Sequence, residues 1–156
     1  MKNKWKVLAL CIAVPLIVGG LAALLSSSSM EMFDSLNKPP LAPPSWLFPV
    51  AWTILYILMG VSSYLVLTSG AKQEAVTNSL KFYCIQLIFN FLWTIFFFNL
   101  KSYWFSFVWL VILWALILIT SYKFSKISKL SAYLLVPYIL WVIFAGYLNF
   151  AIATLN

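Results

Sequence analysis

Histidine and arginine are both absent from the chain, and only three acidic residues occur among its 156 residues. Without histidine there is no imidazole to bind a metal or haem iron, or to act as a general base near neutral pH. The acids Glu31, Asp34 and Glu74 fall outside the apolar runs, and Cys11 and Cys84 have no disulfide or metal spacing. These absences argue against hydrolytic chemistry and against a metal site.

Charge is scarce, whereas apolar residues are abundant. The chain is 64% hydrophobic and 8% charged, with a mean hydropathy of +1.00, far from the composition of a soluble domain. Its net charge of +7 comes entirely from lysine over acid. In a membrane protein such an excess reflects topology and contact with anionic lipid, so we expect membrane lipids as partners and no nucleic acid.

Five uncharged runs are long enough to cross a bilayer, which takes about 20 apolar residues. We therefore predict one all-α domain over residues 1–156, a bundle of five transmembrane helices. The predicted spans are 7–25, 46–67, 82–100, 103–122 and 130–155, and residues 26–45 form a long proline-rich loop. A cleaved signal peptide is the alternative for the first run, although that run exceeds the roughly 7 to 15 residues of a signal core.

Lysine placement predicts the orientation of the bundle. Five spans put Lys38 and Lys101 on one side, and the remaining lysines on the other: Lys2, Lys4, Lys6, Lys72, Lys81, Lys123, Lys126 and Lys129. Because cytoplasmic loops carry the excess of positive charge, the N-terminus is predicted cytoplasmic and the C-terminus outside. The absence of an arginine-rich presequence favours a bacterial plasma membrane over mitochondrial import.

Polar, aromatic and small residues recur at helical spacing in three predicted spans, and in lipid such side chains turn toward the bundle interior. Two interpretations stay open. The residues pack the helices together, or small residues beside large rings leave a space for a flat aromatic ligand. The three stripes are Trp52, Tyr56, Gly60 and Ser63; Gln86, Asn90, Trp93 and Phe97; and Pro137, Trp141, Ala145 and Asn149.

Three segments carry a more specific signal: "LNKPPLAPPSWLFPVAWTILYILMG" at 36–60, "QLIFNFLW" at 86–93 and "PYILWVIFAGYLN" at 137–149. They resemble signatures of the TspO/MBR family, the tryptophan-rich sensory proteins related to the mitochondrial translocator protein, or peripheral-type benzodiazepine receptor. The predicted spans follow the family's order. The resemblance implies a five-helix bundle, commonly a homodimer, in which the loop between helices 1 and 2 caps a pocket.

The same resemblance implies a ligand and its contacts. Family members bind porphyrins, notably protoporphyrin IX, and aromatic drug-like ligands such as isoquinoline carboxamides, so protoporphyrin IX is expected as ligand or substrate and no cofactor is required. The loop candidates are Pro39, Pro40, Pro43 and Pro44, since proline stiffens a loop. The ligand-binding candidates by position are Trp52, Asn90, Trp93, Trp141, Phe144, Ala145 and Leu148, to which the stripes add Tyr56.

The resemblance leaves three functions open. The favoured one is a receptor or sensor in tetrapyrrole and stress regulation that prefers free-base porphyrin, since no histidine can ligate iron. Transport is the second, although no Asp, Glu, Lys, Arg or His lies within the predicted spans to couple it to protons. The third is light-dependent breakdown of protoporphyrin IX, with Trp52 and Trp141 as candidate catalytic residues that hold or reduce the excited ring.

The chain departs from the family pattern at three positions. Leu41 stands where many members have tryptophan, so contact between the loop and a ligand is expected to differ. Phe150 and Thr154 stand where the cholesterol-recognition segment of animal members has tyrosine and arginine. We therefore do not expect sterol binding through that segment.

Overall fold

The computed structural model describes residues 3–27 and 30–156, and within those ranges the regular structure is entirely helical. A wide π-helical turn, Ile95–Asn99, extends the fourth helix. The helices are α1 (Lys4–Ser26), α2 (Met30–Ser35), α3 (Leu47–Leu67), α4 (Gln73–Thr94), α5 (Tyr103–Ser125), α6 (Lys129–Leu134) and α7 (Val136–Leu155).

Five helical segments of the described chain are long and apolar enough to cross a membrane: Lys4–Ser26, Leu47–Leu67, Gln73–Asn99, Tyr103–Ser125 and Lys129–Leu155. The predicted all-α class with five transmembrane helices is therefore confirmed. The third segment begins at Gln73, well before the uncharged run. Lysine is a good helix former, and Lys81 lies exposed on α4, so the helix continues through it.

The five spans close into a ring. α1 packs against α3 and α4, α4 against α5, α5 against α6 and α7, and α6 against α3. Met59, Leu113 and Tyr138 are fully or almost fully buried inside this ring. The large apolar side chains of α1, such as Leu10 and Leu24, are instead exposed, as expected for a surface that faces lipid.

Two glycines allow α1 and α3 to approach closely. A Cβ built on Gly60 would lie 2.5 Å from Cα of Ile12, and one built on Gly19 would overlap the ring of Tyr56. Small residues at such crossings let membrane helices pack backbone to backbone. The contacts fix α1 beside Tyr56, so α1 is an integral wall of the bundle.

The last span is divided between α6 and α7 just before Pro137. Proline lacks the N–H that would continue the helical hydrogen bonds, which accounts for the break. The predicted interior stripe of α7 is correct at Ala145 and Asn149, which are buried, but wrong at Pro137, which is exposed. Residues four apart drift by about 40° around a helix, so a stripe of that spacing leaves the buried face over three steps.

Candidate functional site

A cavity of about 400 Å³ lies between α1, α3 and α4, at the end of the bundle where α1 ends and α3 begins. Its aromatic walls come from α3, α4 and the π-helical turn, whereas α1 contributes small residues. The lining residues are Leu16, Gly19, Gly20, Ala22, Ala23, Ser26, Ser27, Phe48, Pro49, Trp52, Thr53, Tyr56, Trp93, Thr94 and Phe98.

Trp52 connects the rings around the cavity. Its indole stacks on Tyr56, with ring centroids 5.6 Å apart, and lies 6.4 Å from the ring of Trp93. It meets Tyr138 and Trp141 edge to face, at 6.2 Å and 6.3 Å. Edge-to-face and offset arrangements at these distances are the favoured geometries of aromatic pairs. Trp52 therefore touches the cavity on one side and α7 on the other.

A buried network of hydroxyl and amide groups holds the rings from behind. The hydroxyl of Tyr56 donates to Oδ1 of Asn90 at 2.9 Å, and Nδ2 of Asn90 donates to the Tyr138 hydroxyl at 2.7 Å. The Tyr138 hydroxyl in turn donates to Oε1 of Gln86 at 2.7 Å. Both polar atoms of the Asn90 side chain are thus used within the protein, and Asn90 supports Tyr56 rather than lining the cavity.

Trp93 is held by a second amide. Its Nε1 donates to Oδ1 of Asn149 at 3.0 Å, and the same oxygen accepts from the hydroxyl of Ser106 at 3.2 Å. Nδ2 of Asn149 donates to the carbonyl oxygen of Tyr103 at 2.8 Å. Asn149 thereby ties α4, α5 and α7 together and fixes the indole that forms one wall of the cavity.

The remaining predicted ligand contacts belong to α7, and none of the described residues that line the cavity comes from that helix. Trp141 reaches it through two lining residues, Trp52 and Phe48, whose rings lie 6.3 Å and 6.1 Å from its own. The Trp141 ring also lies 5.7 Å from that of Phe144. Ala145 and Leu148 are buried in the bundle. Nε1 of Trp141 is buried and has no hydrogen-bond partner among the described residues, so a donor is free beside the aromatic cluster.

The segment between α1 and α3 is anchored by aromatic contacts. Phe33 of α2 is almost fully buried, with its ring 5.2 Å from that of Phe48 and 6.1 Å from that of Phe98. Phe48 and Phe98 are lining residues of the cavity. The ammonium group of Lys38 lies 5.2 Å above the Phe33 ring and donates to the carbonyl oxygen of Asp34 at 2.9 Å.

Residues 37–46, the proline segment, begin at a clamp with the end of α7. The backbone N–H of Asn37 donates to Oδ1 of Asn156 at 3.2 Å, and Nδ2 of Asn156 donates to the carbonyl oxygen of Asn37 at 3.0 Å. Among the loop candidates, one proline is buried, one is half-buried and two are exposed: Pro39, Pro43, and Pro40 with Pro44, respectively. The predicted role of these prolines in stiffening a loop that caps the pocket stays a prediction.

The sequence did not single out several residues that build the site. Tyr138 was missed, although it alone bridges Asn90 and Gln86 in the network described above. Phe48 and Phe98 were missed as cavity walls, and so was the small-residue face of α1. The signal in the sequence of α1 is the recurrence of Gly19, Ala22 and Ser26 at spacings of three and four.

A smaller cavity of about 170 Å³ lies between α5 and α7, on the opposite side of the ring from α1. Its lining is apolar, with one aromatic residue, and includes Leu110, Trp114, Val142 and Gly146. No group of three or more metal-binding side chains comes together within residues 3–27 and 30–156. The larger cavity is therefore the candidate site.

Five membrane-spanning helices, three of which form a cavity with tryptophan walls, define an integral membrane protein with an intramembrane aromatic site. The TspO/MBR family model matches residues 11–155. The chain belongs to the TspO/MBR family, which confirms the resemblance read from the sequence.

Relatives in bacteria and animals are similar over most of the chain. The tryptophan-rich protein TspO of Chlorobaculum tepidum is 40% identical over 157 residues, covering 100% of this chain and 99% of the relative. The tryptophan-rich sensory protein of Cereibacter sphaeroides is 38% identical over 126 residues, covering 81% and 77%. The translocator protein of Ovis aries is 36% identical over 120 residues, covering 76% and 70%.

Proposed function

We propose that this protein is a membrane receptor or sensor that binds flat aromatic ligands, with protoporphyrin IX and isoquinoline- or benzodiazepine-type drugs as the ligand class. The observation that carries the proposal is the cavity between α1, α3 and α4. Its volume of about 400 Å³ falls within the roughly 300 to 1,000 Å³ typical of small-molecule pockets. A sensor in tetrapyrrole and stress regulation is the role that fits a ligand of this kind.

The chemistry of the walls supports a planar ligand. Trp52, Tyr56 and Trp93 present ring faces and edges, and each ring pair contributes roughly 0.5–1.5 kcal/mol beyond buried area. Across the cavity from these rings, α1 contributes Gly20 and Ala22, and open space lies in front of Gly20. With no histidine in the chain, a free-base porphyrin is the expected form rather than a ligated haem.

The segment between α1 and α3 is part of the proposed binding site. Phe33 packs on two cavity-wall rings, so we infer that α2 and the proline segment cover the ligand from that end.

Lysines such as Lys72 and Lys129 lie at the opposite end of the described helices. This excess of positive charge favours a cytoplasmic position for that end of the bundle and a location in the plasma membrane. The homodimer implied by the family is retained as part of the proposal.

Light-dependent breakdown of protoporphyrin IX is the second candidate function. Supporting it is a run of oxidisable rings from the cavity wall inward, in which Trp52 touches both Tyr56 and Trp141. The porphyrin would absorb the light and generate the oxidant, and the protein would supply orientation and electron-rich rings. Illumination of the bound complex tests it: Trp141→Phe should slow pigment loss, and loss at the native rate would count against the idea.

Transport of apolar ligands stands third. The buried polar residues of the described chain are serine, threonine, asparagine and glutamine, none of which carries a charge to couple movement to protons. Uncoupled passage of a ligand remains compatible with the cavity. Accumulation driven by a proton gradient in proteoliposomes would overturn this ranking.

Titration of the protein in lipid nanodiscs with protoporphyrin IX, followed by tryptophan emission, tests the binding proposal. We expect saturable quenching in the native protein. Replacing the stacking ring in Trp52→Leu should weaken binding roughly 2- to 13-fold, the equivalent of 0.5–1.5 kcal/mol.

A matched control is Trp5→Leu, because Trp5 is 79% exposed at the other end of α1. Its removal should leave the affinity unchanged. Equal affinities for the native protein and both variants, or quenching that never saturates, would contradict the proposal.

A further inference from the structure

The α1 residues that line the cavity fall on two adjacent strips of the helix. Ala22 and Ser26 are buried, whereas Gly20, Ala23 and Ser27 are exposed on the membrane-facing side. Both strips follow helical spacings of three and four. The first strip closes the cavity toward the bundle, and the second forms its outer edge.

α3 repeats this division on the other side of the cavity. Trp52 and Tyr56 turn inward, whereas Pro49 and Thr53, also lining residues, are exposed. A Cβ built on Gly20 would meet no atom within 4 Å, so open space lies in front of this residue. The cavity is therefore open sideways between α1 and α3.

The edges of this opening are apolar despite their hydroxyl groups. The Thr53 hydroxyl donates to the carbonyl oxygen of Pro49 at 2.6 Å, and the Ser27 hydroxyl donates to that of Leu24 at 3.0 Å. Both donors are satisfied within their own helices, so the side chains present mainly carbon to a passing molecule. An apolar molecule meets no unpaired hydroxyl donor there.

The opening also lies at a depth that lipid can reach. Gly20 is seven residues before Ser27, which corresponds to about 10 Å along a helix. The opening thus runs from the end of α1 into the region occupied by hydrocarbon chains, whose full thickness is about 30 Å. A flat molecule with a polar edge is able to keep that edge near the surface while its apolar body enters.

The end of the cavity beside α2 is covered more tightly. Phe33 packs against Phe48 and Phe98, and the proline segment is clamped at Asn37 by two hydrogen bonds to Asn156. Passage at that end requires these contacts to break. Among the described residues, no hydrogen bond or ring contact joins the α1 edge of the opening to its α3 edge.

We propose that flat apolar ligands enter and leave the cavity sideways, from the lipid, through the opening between Gly20, Ala23 and Ser27 of α1 and Pro49 and Thr53 of α3. The inference rests on the proposed function, because it concerns the route to the same site. On this route, the rates of ligand association and dissociation are set by the exposed residues of α1 and α3 at the opening rather than by the proline segment.

Stopped-flow quenching of tryptophan emission by protoporphyrin IX in nanodiscs measures the rates of ligand association and dissociation, which test this route. The double variant Gly20→Leu/Ala23→Leu narrows the opening from α1, and Thr53→Leu narrows it from α3. We expect both to slow association and dissociation together, by roughly 10-fold for a barrier raised by about 1.4 kcal/mol. Ala9→Leu, which adds similar bulk to an exposed residue of α1 away from the cavity, should exchange at the native rate.

Asn156→Ala tests the alternative route past the proline segment, because it removes the two hydrogen bonds between Asn156 and Asn37. On the lateral route, this variant should not alter the rates of ligand association and dissociation. Native rates in both narrowed variants, weaker binding that comes only from faster dissociation, or faster exchange in Asn156→Ala would each overturn the lateral route. Absence of saturable binding to the native protein would overturn the proposed function itself, and the route with it. The two failures are therefore distinguishable.

Discussion

The ring of Tyr56 lies against the bare α-carbon of Gly19, in the space that a methyl group on this glycine would occupy. The same ring stacks on Trp52, and its hydroxyl is bound by Asn90. One tyrosine thus links the crossing of α1 and α3, the aromatic cavity and the buried amide network. Substitution of either Gly19 or Tyr56 should therefore change both the stability of the bundle and its affinity for a ligand.

Adding a single methyl group at neighbouring glycines should have opposite outcomes. Gly19→Ala forces the Tyr56 ring to move and should destabilise the bundle by about 1–3 kcal/mol, the usual range for overpacking. Gly20→Ala meets open space and should be close to neutral. Thermal unfolding in detergent measures the difference, and equal stability of the two variants would contradict the close contact.

The Tyr56 hydroxyl should contribute a modest amount to stability. Tyr56→Phe keeps the ring but removes its donor to Asn90, so we expect a loss of about 0.6 to 1.7 kcal/mol, the range for side-chain hydrogen bonds between membrane helices. Tyr133→Phe, at a largely exposed tyrosine, is the matched control. Comparable unfolding midpoints for the two variants would argue against a buried bond.

Asn149 should be more costly to replace than an exposed asparagine. Asn149→Leu leaves the indole N–H of Trp93 without its acceptor, which should lower the free energy of unfolding by about 1–3 kcal/mol. The Ser106 hydroxyl keeps the carbonyl oxygen of Tyr103, at 3.0 Å, as an acceptor. Asn78→Leu, on the exposed face of α4, should cost little. Unfolding in detergent compares them, and the prediction fails if the Asn78 variant is the less stable.

The predicted orientation is accessible to cysteine labelling. In a background of Cys11→Ser and Cys84→Ser, an impermeant maleimide added to intact cells should label Leu41→Cys in the proline segment. Ala71→Cys, between α3 and α4, should react only after permeabilisation. The reverse pattern would place the excess of lysine outside and contradict the orientation.

The sequence was sufficient for the fold because its strongest signal is hydrophobic length. Every predicted span corresponds to a helical segment, since a backbone in lipid must satisfy its own hydrogen bonds. The start of α4 at Gln73 was not predictable from that signal, because the first nine residues of the helix, 73–81, are mostly polar and precede the apolar run. Hydropathy locates the membrane segment and not the helix that contains it.

The site was predictable only where large polar or aromatic side chains marked it. Trp52, Tyr56 and Trp93 have large aromatic side chains of this kind, and they line the cavity. Ala22 and Gly20 carry none, because small residues on a membrane helix serve packing and open space equally well. Tyr138 escaped notice because the spacing of four assigned the interior face of α7 to Pro137 beside it, although Pro137 is exposed.

The ligand affinity of variants in which each cavity is filled in turn tests most directly where the ligand binds. Ala22→Leu projects extra carbon into the cavity between α1, α3 and α4, and Gly146→Leu does the same between α5 and α7. Protoporphyrin IX affinity in nanodiscs should fall by roughly 10-fold or more in the first variant, a loss of at least about 1.4 kcal/mol, and stay native in the second. Native affinity for Ala22→Leu, or a loss confined to Gly146→Leu, would contradict the assignment of the binding site.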